Sequence, residues 1–157
     1  MNVMRIVAMC FIFLCSINAL SEKSSKESNL SKVKSYLLAF DKVLRSSSTI
    51  EDIDFLMSKT HDSVRYVHSV HGVDFDKTTW RKAFLKQLNL HRYSKGPEDM
   101  IKIFNTISGK NHVAIEYAFG KKAPDGTWKI NGQMDKDVMF SLFTFKDGKI
   151  SLIKELY

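Results

Sequence analysis

From Asn111 onward, apolar and polar residues alternate in runs separated by two Asp-Gly pairs. His112 to Phe119 puts Val113, Ile115, Tyr117 and Phe119 on one side and His112, Ala114, Glu116 and Ala118 on the other, the period of two of a pleated strand. Val138 to Lys146 is rich in Phe, and Lys149 to Tyr157 alternates again. Asp125-Gly126 and Asp147-Gly148 are hairpin signals, because glycine accepts the positive φ that tight turns demand. The stretch predicts a long antiparallel meander.

Upstream the period changes. Leu30, Val33, Tyr36, Leu37, Phe40 and Leu44 recur at three and four, one apolar stripe of a helix. Ser48-Thr49-Ile50-Glu51 has the form of a capping box, in which the Ser hydroxyl and the Glu carboxylate satisfy free amides at a helix start. It predicts a second helix over 49–59, with Ile50, Ile53, Leu56 and Met57 inward. Val64 to Val70 reads as a strand carrying Val64, Tyr66, His68 and Val70 on one face, ended by His71-Gly72. A polar loop then leads to a third helix over 79–92, striped by Trp80, Phe84, Leu88 and His91 and stopped by Gly96-Pro97. Met100 to Ser108 is a further strand. Helices followed by a meander indicate an α+β fold in the order αα-β-α-ββββ, a curved antiparallel sheet wrapped around helices as a cone-shaped barrel.

A chain of 157 residues, 44% apolar, supports one domain with its own core. Its first residues stand apart. Met1 to Arg5 is weakly positive, Ile6 to Leu14 is continuously apolar, and Ser16, Ala19 and Ser21 are small. This is the layout of a secretory signal peptide over 1–21, too short to anchor stably across a bilayer, so the expected chain is secreted or periplasmic with no transmembrane anchor after cleavage. Cys10 and Cys15 both fall in that segment, which leaves the remainder without a disulfide or a thiolate metal site. A Ser/Lys/Glu-rich leader over 22–30 precedes a folded domain over 31–157.

Charge changes the picture little. Arg5 is one of 24 basic residues against 17 acidic ones, so the net +7 becomes about +6 without it. Lysines on solvated faces account for this; Arg81, Lys82, Lys86, Arg92 and Lys95 make the third helix region basic, and with an export signal no nucleic-acid partner is expected.

The segments "IEDIDFLMSKTHDSVRYVH" and "FSLFTFKDGKISLIKELY", with the Tyr-Leu-Leu-Ala-Phe helix and Trp80, resemble the nuclear transport factor two-like superfamily, most closely its SnoaL-like group. The most specific part is carried by Phe143, Phe145, Gly148, Lys149, Ile150, Ile153, Glu155 and Tyr157, a pattern that marks the fold and not a catalytic motif. The resemblance implies a conical pocket between the concave sheet and the first and third helices, and frequent dimerisation through the outer sheet face. The superfamily holds isomerases, cyclases, hydrolases, dehydratases and non-catalytic domains, so fold does not give function. Against its ketosteroid isomerases, Tyr36 falls where an oxyanion-binding Tyr is kept, while His68 and Ser141 fall where two acids are kept. Steroid isomerisation is therefore not expected.

His68 is the best candidate for acid–base chemistry, because imidazole titrates near neutrality. Glu116, between the small Ala114 and Ala118, is the favoured partner if its face is inward; in the alternative, Val113, Ile115, Tyr117 and Phe119 line the cone and Glu116 is solvated. The inward choice turns those four apolar residues into an outer stripe suited to a homodimer. Tyr36, Tyr66, Trp80, Asp137 and Ser141 complete the candidate ligand-binding set, each with packing or solvation as its plain alternative. His61, His68, His71, His91 and His112 are scattered and show no metal-binding spacing, and no phosphate loop, GxGxxG or GxSxG element occurs, so neither metal nor cofactor is expected. The expected activity is binding of a small, largely apolar molecule. The alternatives are a lyase, isomerase or hydrolase acting through His68 with Glu116, Tyr36 or Asp137, and an accessory domain that binds a protein.

Overall fold

The computed structural model describes residues 29–131 and 137–156. The expected signal peptide, both cysteines and most of the leader lie outside them. Helix α1 (29–43) opens the described chain and already includes residues 29 and 30. It is followed by α2 (Ile50–Ser58), β1 (Thr60–His68), β2 (Val73–Asp76), α3 (Lys77–Asn89), β3 (Asp99–Ser108), β4 (His112–Lys122), β5 (Trp128–Ile130), β6 (Met139–Lys146) and β7 (Lys149–Glu155). The α+β class stands, with β2 and β5 as additions to the expected order. Among the described residues no helix is long and apolar enough to cross a membrane.

The strands form one seven-stranded sheet in the order β2-β1-β7-β6-β4-β3, with β5 alongside the far end of β4. All pairings are antiparallel except β1 with β7, which is parallel and makes the sheet mixed. That pairing brings the first strand beside the last and places His68 opposite Glu155. Strand β2, expected as polar loop, turns back on β1 through Gly72, whose φ of +61° suits glycine. Its four residues are too few to show a period. The Asp147-Gly148 hairpin has positive φ at both positions, 49° and 73°, the signature of a type I′ turn. Asp125-Gly126 joins β4 to β5, not directly to β6.

Local chemistry explains the helices. The α2 cap lies one residue later than expected: Thr49 is extended, its side chain accepts from the Asp52 amide, and the Asp52 carboxylate accepts from the Thr49 amide. Ile53, Leu56 and Met57 are buried as expected, but Ile50, in the first turn, is half exposed. Asp76 caps α3 by accepting from the Thr79 amide at 2.7 Å. Trp80 and Phe84 form the buried stripe of α3; His91 lies beyond its end, exposed, at a φ of 51°.

The core lies between α1 and the concave side of the sheet. Val33, Tyr36, Leu37 and Val43 of α1 meet Val113, Ile115, Tyr117, Phe143, Ile150 and Ile153 of the strands. This settles the facing of β4. Val113, Ile115 and Tyr117 are 0%, 0% and 2% exposed, and Phe119 packs on Phe40 of α1. Glu116 therefore projects from the opposite, outer side, where it accepts a hydrogen bond from Asn105 of β3. The reason is area: burying four large apolar side chains under α1 outweighs burying one carboxylate and two alanines. The outer face carries instead Ala114, Phe140, Leu142 and Leu152, by register with one another and with Glu116.

Candidate functional site

Of the two residues expected to do acid–base chemistry together, only His68 is on the concave side. It is 8% exposed at the end of β1. The carboxylate beside it is Glu155 of β7: His68 Nε2 lies 3.5 Å from Glu155 Oε2. Glu116 plays no part there, being separated from it by the thickness of the sheet.

Glu155 is the centre of the arrangement. Buried at 6% exposure, it accepts a hydrogen bond from the Tyr66 hydroxyl at 2.8 Å and from the Tyr117 hydroxyl at 3.4 Å. A buried carboxylate needs such donors, since desolvation without compensation costs several kcal/mol on the order given by transfer data. Ser141 is its cross-strand partner on β6, fully buried, and the Ser141 Oγ has no hydrogen-bond partner among the described residues. Tyr36 enters from α1, its ring 5.5 Å from that of Phe143 and 6.4 Å from that of Trp80. Burial, then the nearby Tyr117, Glu155 and Tyr66, push its phenol well above the usual tyrosine range, so Tyr36 keeps its proton and can both donate and accept a hydrogen bond. Trp80 stacks on Tyr66 at 4.8 Å between centroids and an interplanar angle of 8°. At the rim, the exposed His71 lies with its ring 4.3 Å from that of His68.

The expected set is thus brought together in most of its members: Tyr36, Tyr66, His68, Trp80 and Ser141 converge. Asp137 is exposed in the segment before β6. Glu155 and Tyr117 were missed. Their signal was present as parity: on the last strand, Glu155 keeps step with Ile150 and Ile153 after a bulge, an acid on an apolar face. Tyr117 was assigned to the outer face with the rest of its stripe.

Chemically, the arrangement offers a carboxylate, several hydroxyls and an imidazole, bordered by the packed rings of Tyr36, Tyr66 and Trp80. It can orient an oxygen-bearing apolar molecule, and the His68–Glu155 contact can hold or pass a proton. Among the described residues, no group of three or more His, Cys, Asp or Glu side chains is placed to hold a metal ion. His61 instead lies 3.5 Å from Asp147 in the β6–β7 turn.

Concave sheet, capping helices and a buried polar centre define the class. The chain has the nuclear transport factor two-like (NTF2-like) fold. Similar solved structures include an NTF2-like protein of unknown function from Burkholderia pseudomallei, 12% identical, covering 83% of this chain and 90% of that one, with a TM-score of 0.54. A candidate polyketide cyclase from Xanthomonas campestris pv. campestris is 15% identical, with 85% and 92% covered and a TM-score of 0.52. TerC, co-crystallised with polyporic acid, is 15% identical, with 83% and 91% covered and a TM-score of 0.51. No family model matches the sequence, and no curated protein matches it. At such identities the likeness concerns the fold.

Proposed function

We propose that this domain binds a small, largely apolar molecule bearing an oxygen function, held on the concave side by Tyr36, Tyr66, His68, Trp80, Tyr117, Ser141 and Glu155. The observation that carries this reading is the convergence on Glu155 of hydroxyls from two other strands, 2.8 and 3.4 Å away, in the interior of the domain. A fold that needed only stability would lose little by replacing these buried polar groups with well-packed hydrocarbon. That the similar TerC was crystallised with polyporic acid agrees with a ligand in this fold.

Acid–base catalysis is the second reading. It is favoured by the 3.5 Å contact between His68 Nε2 and Glu155 Oε2, which gives a proton two sites in reach of one bound molecule. In this reading Glu155 takes the role expected of Glu116. Export, supported by the apolar run Ile6 to Leu14, and pairing of two copies through Ala114, Phe140, Leu142 and Leu152 on the outer sheet face complete the proposal.

The test is extraction of small molecules from protein purified from its native host, followed by mass spectrometry and by titration of the protein with 2-naphthol, an aromatic body with one hydroxyl. A recovered apolar oxygen compound, or naphthol binding lost in Glu155→Gln, supports binding. Turnover of the recovered compound that His68→Ala abolishes supports catalysis. Naphthol binding that is absent, or equal in wild type and Glu155→Gln, rejects the site.

A further inference from the structure

We propose a second ligand site, in the groove between α1 and β3, that takes an extended apolar molecule ending in a hydroxyl group. The groove has a volume of about 260 Å³ and is lined by Leu37, Leu38, Met100, Ile101 and Ile103, with Lys34 at one end and Asp41 and Arg45 at the other. Lys34 and Asp41 lie two helical turns apart, about 10 Å along α1. Leu38 is 72% exposed and Met100 43%, so the lips of the groove present apolar surface to water.

The polar end determines the head group. Arg45 Nη2 donates to Asp41 Oδ2 at 2.7 Å, and Lys95 Nζ stands 3.9 Å from Asp41 Oδ1. Yet Asp41 Oδ1, Arg45 Nε and Lys95 Nζ are all buried with no hydrogen bond among the described residues. The Lys95 ammonium also sits 2.7 Å from the centroid of the Phe119 ring, and burial brings its pKa down to about 8. Buried polar groups left in this state mark a place where a partner belongs.

One acceptor and two donors together select the partner. A carboxylate only accepts, and would be set against Asp41. An ammonium only donates, and would face Arg45 and Lys95. A hydroxyl donates to Asp41 Oδ1 while accepting from Arg45 Nε or Lys95 Nζ. The site is independent of the one around Glu155, since the two share no polar residue.

The probes are 1-decanol, decanoate and decylamine, titrated at neutral pH by isothermal calorimetry and by chemical-shift perturbation. Decanol is expected to bind about tenfold more tightly than either charged analogue, the scale of one lost charge-assisted hydrogen bond. Leu38→Glu, at an exposed position that cannot disturb the core, is expected to weaken decanol about tenfold, and Glu155→Gln to leave it unchanged. Asp41→Asn is expected to reverse the ranking in favour of decanoate, because the two cations then stand alone. Equal affinity for the three head groups, decanol binding that survives Leu38→Glu, or no binding at all would overturn the proposal; the last would leave a bridging water as the partner of the three atoms.

Discussion

The Tyr66 hydroxyl donates to Glu155 Oε2 at 2.8 Å across 89 residues of sequence. The parallel pairing of β1 with β7 makes that bond possible, and it turns an acid of the last strand into the centre of the polar cluster. Glu155→Gln is expected to keep the fold, seen as an unchanged circular dichroism spectrum, and to weaken 2-naphthol roughly tenfold or more, as loss of hydrogen bonds to a charged acceptor does. Glu116→Gln, on the other side of the sheet, is expected to leave naphthol binding unaltered.

The facing of β4 has a stability signature. Ile115→Ala is expected to cost about 2–5 kcal/mol and Phe143→Ala about 3–5 kcal/mol in urea unfolding, because each empties a fully buried position. Glu116→Ala is expected to stay within about 0.5 kcal/mol. Comparable losses at Ile115 and Glu116 would contradict the assignment of the inner face.

Alkaline pH should reveal the buried phenols. Burial pushes Tyr93 up to about 12 and Tyr36 well above the usual range, whereas unfolded tyrosines titrate near about 10. Above that pH the unfolded chain has lost protons that the folded chain keeps, so stability falls as pH rises. Tyr36→Phe is expected to flatten that fall and to remove a late-titrating tyrosine from the ultraviolet absorbance. A phenol titrating with the exposed ones would show that Tyr36 is not enclosed.

The α2 cap governs the acid side. Burial raises the Asp52 carboxyl, but the Lys42 ammonium at 2.6 Å and the Thr49 amide outweigh it and hold it below the usual carboxylate range. Its contribution is therefore present above about pH 4 and lost as pH falls through the lowered value. Thr49→Ala is expected to cost about 1 kcal/mol at neutral pH, and Asp52→Asn to reduce the acid-side loss of stability. Thermal unfolding followed against pH checks both.

If two copies associate through the outer sheet face, Leu142→Asp is expected to yield folded monomers in sedimentation, since Leu142 pairs with Ala114 on that face. A wild-type chain that sediments as a monomer at all concentrations would remove the dimer from the proposal.

Much was legible along the chain because short-range physics governs it. Val33, Tyr36 and Leu37 of the α1 stripe are buried against the sheet with Phe40 packed beside them, the Asp147-Gly148 turn has the φ values its residues favour, and Tyr66 and His68 share the expected inward face. The α2 cap was found to within one residue, which is the limit of a motif whose Ser and Thr are both competent acceptors. These features depend on neighbours a few positions away, so residue order alone determines them.

Which side of β4 would be covered was not a local question. Alternation divides Val113, Ile115 and Tyr117 from Ala114 and Glu116, but only packing against α1 decides which set is inside. The four-residue β2 exists because β1 offers it an edge. Glu155 meets Tyr66, His68 and Tyr117 because a parallel crossover, spanning most of the domain, lays the last strand beside the first. Residue order determined the elements and their two faces; the sheet's long-range pairings decided which faces meet, because contacts between distant segments are set by the net burial of the whole and not by any one segment's pattern.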